Sequence, residues 1–538
     1  MKGAFFTPTA APSVASEAAA AMAASAPPAP TPVSVYDLRP RAAKLWILAG
    51  AACISVLTPA TDTVYLPALP SVRRSLGGSE DAVTASVSVY MAAVGLCCLL
   101  WGPLSDRFGR RAPLLGSLAL FLAFTAACPF SPSIGALIVL RALEGAFVGS
   151  TVSVTQGVIA DTFAPHERGT ALGLFFIPLL VGPIVAPIVG GALSAAFTWR
   201  ATFWLLLALG GALFLVALAL PETHPHYAQL LRRQARGEAS AAAGTAAAAT
   251  AATAAGAEAS AAAAAKSAAA EAAAEAAAVS GGGASAAASL SFDLEDAPRG
   301  ELLMPWVPLT MMVETEVLPF VLLSGVNFGA MFMSLTMLPT LLAAPPYSLT
   351  ETSVGLCYIP IGVSMMVGST LGGQASDRAA AASPGVASAR VVPSILGSLA
   401  LPAGAIVFGP ILGAGGPLLA ALLVGHVLIG LGQSLYMGGF MSYLTTIKQA
   451  QASAASAGSM VLNFVIAAVL ISAAVPLKEA LGAGGLFGLF AAIHALVAAV
   501  ALRHARLRAA EAVEAVRKAV ADGAVQNPAA LAVAAVGV

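Results

Sequence analysis

Apolar positions in this chain come in long unbroken runs, without the two-residue alternation of a half-buried strand or the one-sided stripe of a surface helix. A helix needs about 20 mainly apolar residues to cross roughly 30 Å of hydrocarbon, and twelve runs reach that length. In the first half they are Ala43 to Val64, Val83 to Leu104, Ala112 to Phe130, Ile134 to Ile159, Thr170 to Leu193 and Thr202 to Leu220. In the second half they are Val317 to Leu342, Val354 to Gly373, Val391 to Leu412, Leu418 to Leu444, Gly458 to Pro476 and Gly482 to Leu502. The pattern predicts an all-α membrane protein of twelve spans in two six-helix bundles, residues 43–220 and 316–502.

Composition agrees with that pattern. The chain is 58% hydrophobic and 10% charged, with a mean hydropathy of +0.87, more apolar than a soluble fold can bury. Outside the runs, residues 1–42 are rich in Ala, Pro, Ser and Thr and read as a disordered tail. Residues 221–315 read as a low-complexity linker. Its stretch from Glu238 to Ser289 is mostly Ala, and Glu258, Lys266, Glu271 and Glu275 make it a poor span. Residues 503–538 read as a C-terminal tail.

The zero net charge gives no argument for nucleic acid, but the placement of the cations is informative. With twelve spans, one face collects Arg39, Arg41, Lys44, Arg107, Arg110, Arg111, Arg168, Arg232, Arg233, Arg236, Arg378, Arg390, Lys448, Arg503, Arg506 and Arg508. The other has Arg73, Arg74, Arg200 and Lys478. Basic loops stay cytoplasmic, so both termini are expected inside, in the plasma membrane or an organellar membrane. The five cysteines, Cys53, Cys97, Cys98, Cys128 and Cys357, fall in apolar runs without metal-ligand spacing and read as packing residues. No metal or cofactor is expected, and with no phosphate-binding loop or nucleophile–base pair, neither is an enzyme.

The halves echo one another. GPLSDR at Gly102 to Arg107 returns as GQASDR at Gly373 to Arg378, each after the second run of its half. Arg141 and Gly145 in the fourth run share their spacing with His426 and Gly430 in the tenth. Two parallel repeats of six spans predict a substrate cavity at their interface, near the bilayer midplane.

Several stretches carry more specific chemistry. GPLSDRFGRR joins the second and third runs: Gly102 and Gly109 suit a tight turn, and Asp106, Arg107, Arg110 and Arg111 can form a charged latch. LRALEG places Glu144 three residues after Arg141, on one helix face. Glu144 is then either the counter-ion of an expensive buried charge or a carboxyl that loads and releases protons. GLFFIPLLVGPIVAPIVGG makes the fifth run a small-residue, proline-kinked helix able to hinge, around Gly182, Pro183, Pro187, Gly190 and Gly191. Asp62, in TDTVYLPALP, is the acid of the first run and reads either as a proton-coupling group or as an interfacial acid near the span's end. Tyr65, Asn327, His426, Tyr436 and Asn463 are polar or aromatic groups in apolar runs and are candidates to line the cavity.

The loop at Gly102 to Arg111 resembles the signature of the major facilitator superfamily. The Arg141 motif, the Gly/Pro helix and the acid before LPALP resemble its twelve-span drug:proton antiporters. DTFAPHERGTALG, YSLTETSVGLCYIPIGVSMMVGS, WRATFW and LPET resemble the fungal quinidine-resistance branch. Glu144 stands where that family usually has Gln, and Ala186 where it usually has Gly. The resemblance, over about Lys44 to Leu502, implies a monomeric transporter that exchanges protons for small organic molecules and exports them. Uptake or facilitated exchange of a metabolite such as an organic acid shares the same fold, and a non-transporting sensor is a third reading.

Overall fold

A computed structural model describes residues 39–224, 306–382, 386–448 and 452–521; the expected tail and linker fall almost wholly outside these. The spans are α1 (Arg41–Leu76), α2 (Glu80–Phe108), α3 (Arg111–Phe130), α4 (Ile134–Thr162), α5 (Pro165–Ala196) and α6 (Arg200–Ala219), then α7 (Leu318–Ala343), α8 (Glu351–Ala382), α9 (Ala387–Gly413) and α10 (Leu418–Ile447). One continuous helix, Ala452–Ala521, follows. At 1.5 Å per residue its 58-residue apolar part would reach about 87 Å, far more than one crossing needs. Gly482, at φ 70 and ψ 170, breaks it into α11 (452–481) and α12 (483–521). Among the described residues, the eleven apolar helices therefore make twelve crossings. Beyond residue 502, where the apolar run ends, α12 continues as helix to residue 521.

The repeat seen in the sequence has a packing basis. A Cβ on Gly145 of α4 would strike the backbone of Tyr90 in α2, and one on Gly430 of α10 would strike the backbone of Ile361 in α8. Absence of a side chain lets each helix pair approach closely, so the echo between Gly145 and Gly430 marks equivalent crossings. Between the halves, α2 lies against α11 and α5 against α8, again a pair of equivalent contacts.

The outer surface carries apolar side chains, among them Val139, Leu215, Leu419 and Leu496, each more than half exposed, as a helix bundle in lipid requires. Cys53 is also exposed on this surface, so it is not the packing residue expected; Cys98, Cys128 and Cys357 are buried. All five are free thiols.

Contacts between helix ends define two faces. The basic face holds Lys44 against Glu167 (3.4 Å), Arg110 against Asp161 (2.8 Å) and Lys448 against Glu314 (2.5 Å). The far face holds the other ends. There Lys478 of α11 pairs with Glu80 of α2, and Arg74 of α1 lies 3.8 Å from Glu351 of α8, whose carboxylate also accepts from Ser71. Among the described residues, these are the ion pairs that join the halves. Below them, Gly191 of α5 lies on the Glu351 backbone and Gly355 of α8 on the Pro187 carbonyl. The far face is thus held shut by two ion pairs above a seam of backbone contact.

Gly355→Leu would place a branched side chain against the Pro187 carbonyl and force α5 from α8. Overpacking of this kind costs typically about 1–3 kcal/mol. The expected outcome is faster reaction of far-face cysteine probes with a membrane-impermeant thiol reagent, the helical content being unchanged by circular dichroism.

Candidate functional site

α1 is interrupted where its chemistry lies. Its pieces Arg41–Ser55 and Leu57–Thr63 are followed by a 3-10 turn, Leu66–Ala68, and a last helix Leu69–Leu76. Pro59, Pro67 and Pro70 withhold backbone donors, and broken helices leave carbonyls for other partners. The Thr61 carbonyl accepts from Arg141 Nη2 at 3.3 Å, and the Thr58 carbonyl accepts from the Tyr90 hydroxyl at 3.3 Å. Asp62 directly follows Thr61 on the same short helix, Leu57–Thr63. The helix runs on to Leu76, so Asp62 is an interior residue, 3% exposed, and not the interfacial acid that a span ending at Val64 allows.

Arg141 and Glu144 are both fully buried. Arg141 Nη1 donates to Glu144 Oε2 at 2.7 Å, and Thr125 of α3 donates to Oε1 at 2.8 Å. The guanidinium lies over the ring of Tyr90, 3.9 Å from its centroid, and is 5.3 Å from that of Tyr65. Both Glu144 oxygens and two nitrogens of Arg141 are therefore engaged, which a charge pair in apolar surroundings requires. Asp62 differs: its Oδ1 is buried and has no partner, while the Tyr90 hydroxyl adjoins its carboxyl. Tyr90 and Glu144 each lie ten residues inside the far-face ends of their helices, about 15 Å at 1.5 Å per residue. The cluster is near mid-membrane depth.

Asp62, Tyr65, Arg141 and Glu144 are thus brought together; the other cavity candidates are dispersed. Tyr65 shares a hydrogen bond with Ser86 (3.1 Å) and packs on Phe203. Asn327 donates to the Leu323 carbonyl (2.9 Å) and its Oδ1 meets His494 Nε2 of α12 (3.1 Å). Tyr436 donates to the Phe320 carbonyl at 2.6 Å. Each of these three side chains has a hydrogen-bond partner inside its own half. His426, in a π-helical turn of α10 (Ala421–His426), lies 4.9 Å from the Phe408 ring and has no side-chain partner on either ring nitrogen. Asn463 of α11 is also buried, with its Oδ1 free of protein partners.

The residues expected to form a hinge line two contacts of α5. Gly182 meets Pro59 and Gly190 meets the Val64 carbonyl, both on α1, while Gly191 and Pro187 meet α8. Pro183 lies inside the same helix. α5 therefore touches the broken helix that carries Asp62 and the opposite half together.

The charged loop is built differently from the expectation. Gly102 lies within α2, with open space at its Cα, and the turn rests on Gly109 alone, at φ 84. Arg110 pairs with Asp106 (2.5 Å) and Asp161 (2.8 Å). Burial works against its charge, but the two carboxylates outweigh burial and hold the guanidinium above its ordinary range. Arg107 lies by the Phe108 ring, and Arg111 donates to the Leu218 carbonyl at 2.7 Å. The anchor is Glu222, just past α6. Its oxygens accept from the Arg110 and Arg111 amides at 2.9 and 3.0 Å, and from those of Thr223 and His224 at 2.9 Å each. Glu222 was visible only as part of LPET, whereas Tyr90, Thr125 and His494 had no local signal, since one hydroxyl or ring in an apolar run looks like packing.

Glu144→Gln leaves the Arg141 charge buried without its counter-ion, a change that typically costs about 3–5 kcal/mol. A lowered thermal midpoint in lipid nanodiscs is expected, and the paired Arg141→Met/Glu144→Leu variant should recover most of it. Glu222→Ala removes acceptors from four amides and should speed proteolysis between α2 and α3.

These geometries can be set beside known proteins. The model of the Major Facilitator Superfamily matches residues 51–471. MFS antiporter QDR3 of Candida albicans is 42% identical over 185 residues, 34% of this chain and 26% of that protein. Citrate exporter 1 of Aspergillus niger is 33% identical over 184 residues, 34% and 35% of the two chains. Efflux pump radE of Floropilus chiversii is 26% identical over 454 residues, 80% and 74%. The matches to the first of these relatives span only about a quarter to a half of their length. In structure, the D-xylose-proton symporter is similar at a TM-score of 0.56 and 17% identity, covering 84% of this chain and 97% of that one. The peptide transporter POT in complex with sulfate is similar at 0.57 and 15%, covering 86% and 95%. The match over residues 51–471, the paired six-helix halves and the turn at Gly109 that Glu222 anchors agree: this chain belongs to the Major Facilitator Superfamily.

Proposed function

We propose that this protein is a proton-coupled antiporter that exports small organic molecules, with Asp62 as its proton-coupling carboxyl and Glu144 as the fixed counter-ion of Arg141. The observation that carries the reading is the difference between two neighbouring carboxyls. Glu144 has both oxygens filled, and releasing or taking up a proton there would dismantle its pair with Arg141. Asp62 has a buried oxygen without a partner, on a broken helix at mid-membrane depth, where a proton can be bound and given back without breaking an ion pair.

Movement is coupled to that site through α5. Its Gly182 and Gly190 rest on α1 and its Gly191 on α8, so rocking of one half against the other changes the surroundings of Asp62. Alternating access then lets proton and substrate bind in turn, and a 100 mV potential contributes about 2.3 kcal/mol per elementary charge moved. The names of the relatives, an antiporter, a citrate exporter and an efflux pump, support export. The basic face is cytoplasmic by the positive-inside rule, which puts the far face outside. The four cations there are all engaged: Arg73 and Lys478 with Glu80, Arg74 with Glu351, and Arg200 with the Pro129 carbonyl. In this reading the protein acts as a monomer, each chain carrying both six-helix halves.

The test is flux in proteoliposomes with an imposed pH gradient, screened against organic cations, polyamines and organic acids. Export opposite to the proton gradient is expected in the wild type. Asp62→Asn should lose at least tenfold of gradient-driven accumulation while keeping substrate exchange, and Glu144→Gln should lose both along with stability. Wild-type flux that runs with the proton gradient would replace export by uptake, and gradient-driven flux that survives Asp62→Asn would remove Asp62 from the coupling step.

A further inference from the structure

A second polar site lies away from the Asp62 cluster, in a crevice of about 390 Å³ on the far face at the seam between the halves. Ser71 and Arg74 at the end of α1 and Ser194 near the end of α5 form one wall. Ser348, Thr350 and Glu351, leading into α8, form the other. The volume is that of a small-molecule site.

Two polar atoms in this crevice are buried and without a partner, Glu351 Oε2 and Ser194 Oγ. Ser194 as a whole is 6% exposed. The other Glu351 oxygen, Oε1, is already used by the Ser71 hydroxyl and by Arg74 at 3.8 Å. An unfilled buried acceptor lowers stability unless a donor reaches it. The side chain of Glu351 is 14% exposed and that of Arg74 is 76% exposed, so water screens the cation more than the anion. The unfilled oxygen of Glu351 therefore favours a positively charged donor.

We propose that this crevice binds a small organic ammonium ion, its N–H groups on Glu351 Oε2 and Ser194 Oγ, and that its occupancy holds the far face closed. The two acceptors belong to different halves, so parting α5 from α8 takes the site apart. A ligand with affinity for one of two states shifts the equilibrium by that difference and by nothing else. At ten times its Kd, such a ligand raises the closed-to-open ratio about 11-fold. Asp62 and Arg141 do not line the crevice, so the proposal stands whether or not Asp62 couples protons.

The test uses the full chain in nanodiscs, with benzylamine as probe and benzyl alcohol as its uncharged counterpart, followed by calorimetric titration. Benzylamine should bind the wild type and Asp62→Asn with the same Kd, and Glu351→Gln at least tenfold more weakly. Benzyl alcohol should bind at least tenfold more weakly than benzylamine. With benzylamine bound, deuterium exchange should slow at residues 69–76 and 351–356. Ser194→Val keeps both ion pairs while removing the hydroxyl and narrowing the crevice. It should weaken binding several-fold, and it tests the site even where Glu351→Gln does not fold. Unchanged binding in Glu351→Gln or Ser194→Val, loss of binding in Asp62→Asn, equal binding of the alcohol, or no binding to the wild type would each overturn the proposal.

Discussion

The rest of this molecule is arranged around one costly object, the guanidinium of Arg141 buried near the middle of the membrane. Leaving it unpaired is prohibitive, and its compensation draws on three other spans. α4 supplies Glu144 itself, α3 supplies Thr125 to fill the remaining Glu144 oxygen, α1 supplies the Thr61 carbonyl, and α2 supplies the ring of Tyr90. The broken helix α1 passes close by, and the Thr61 carbonyl uses its second lone pair for the guanidinium. Gly145 follows from this need, since the close crossing of α4 on α2 puts the Tyr90 ring under the cation. Four helices of the N-terminal half are thereby held in register by one side chain.

That same compensation separates the roles of the two acids. A carboxylate committed to a buried cation and a hydroxyl is rigid, and Glu144 is of that kind. A carboxylate beside the pair but not consumed by it remains free to change state, and Asp62 is of that kind, with Oδ1 unfilled. The C-terminal half has no equivalent charge pair among the described residues. At the position that mirrors Arg141 it carries His426, whose ring is buried against Phe408 within a π-helical turn. The duplicated scaffold is therefore symmetric in its helix crossings and asymmetric in its electrostatics, with the ionisable cluster in one half only among the described residues.

Much of this was legible in the sequence, and what escaped it did so for physical reasons. Run length identified the spans because hydrocarbon thickness fixes helix length. It undercounted α1, whose apolar run was ended at Val64 although the helix continues to Leu76, and so Asp62 looked closer to the surface than it is. The pairing of Arg141 with Glu144 was readable because residues three apart share a helix face. The partners Thr125, Tyr90 and Thr61 were not, because contacts between spans leave no periodic trace. Asn327 and Tyr436 show the same limit: as polar side chains in apolar runs they suggest ligand groups, and their partners His494 and the Phe320 carbonyl left no trace in the sequence.

The two ends of the seam between the halves show how a rocking mechanism is made reversible. At the far face, closure combines backbone contact at Gly191 and Gly355 with ion pairs at Glu80 and Glu351. Partly exposed pairs of this kind contribute little, typically about 0–1 kcal/mol each, and so do not lock the closed state. At the basic face, the strong interactions stay within a half: Arg110 is held by Asp106 and Asp161, and Glu222 takes four amides of its own bundle. Rigid halves joined by weak contacts are what two states of similar energy require. In such a balance, a differential affinity of about 1.4 kcal/mol for one state changes the population ratio tenfold, so a single proton or a single bound molecule is enough to tip it.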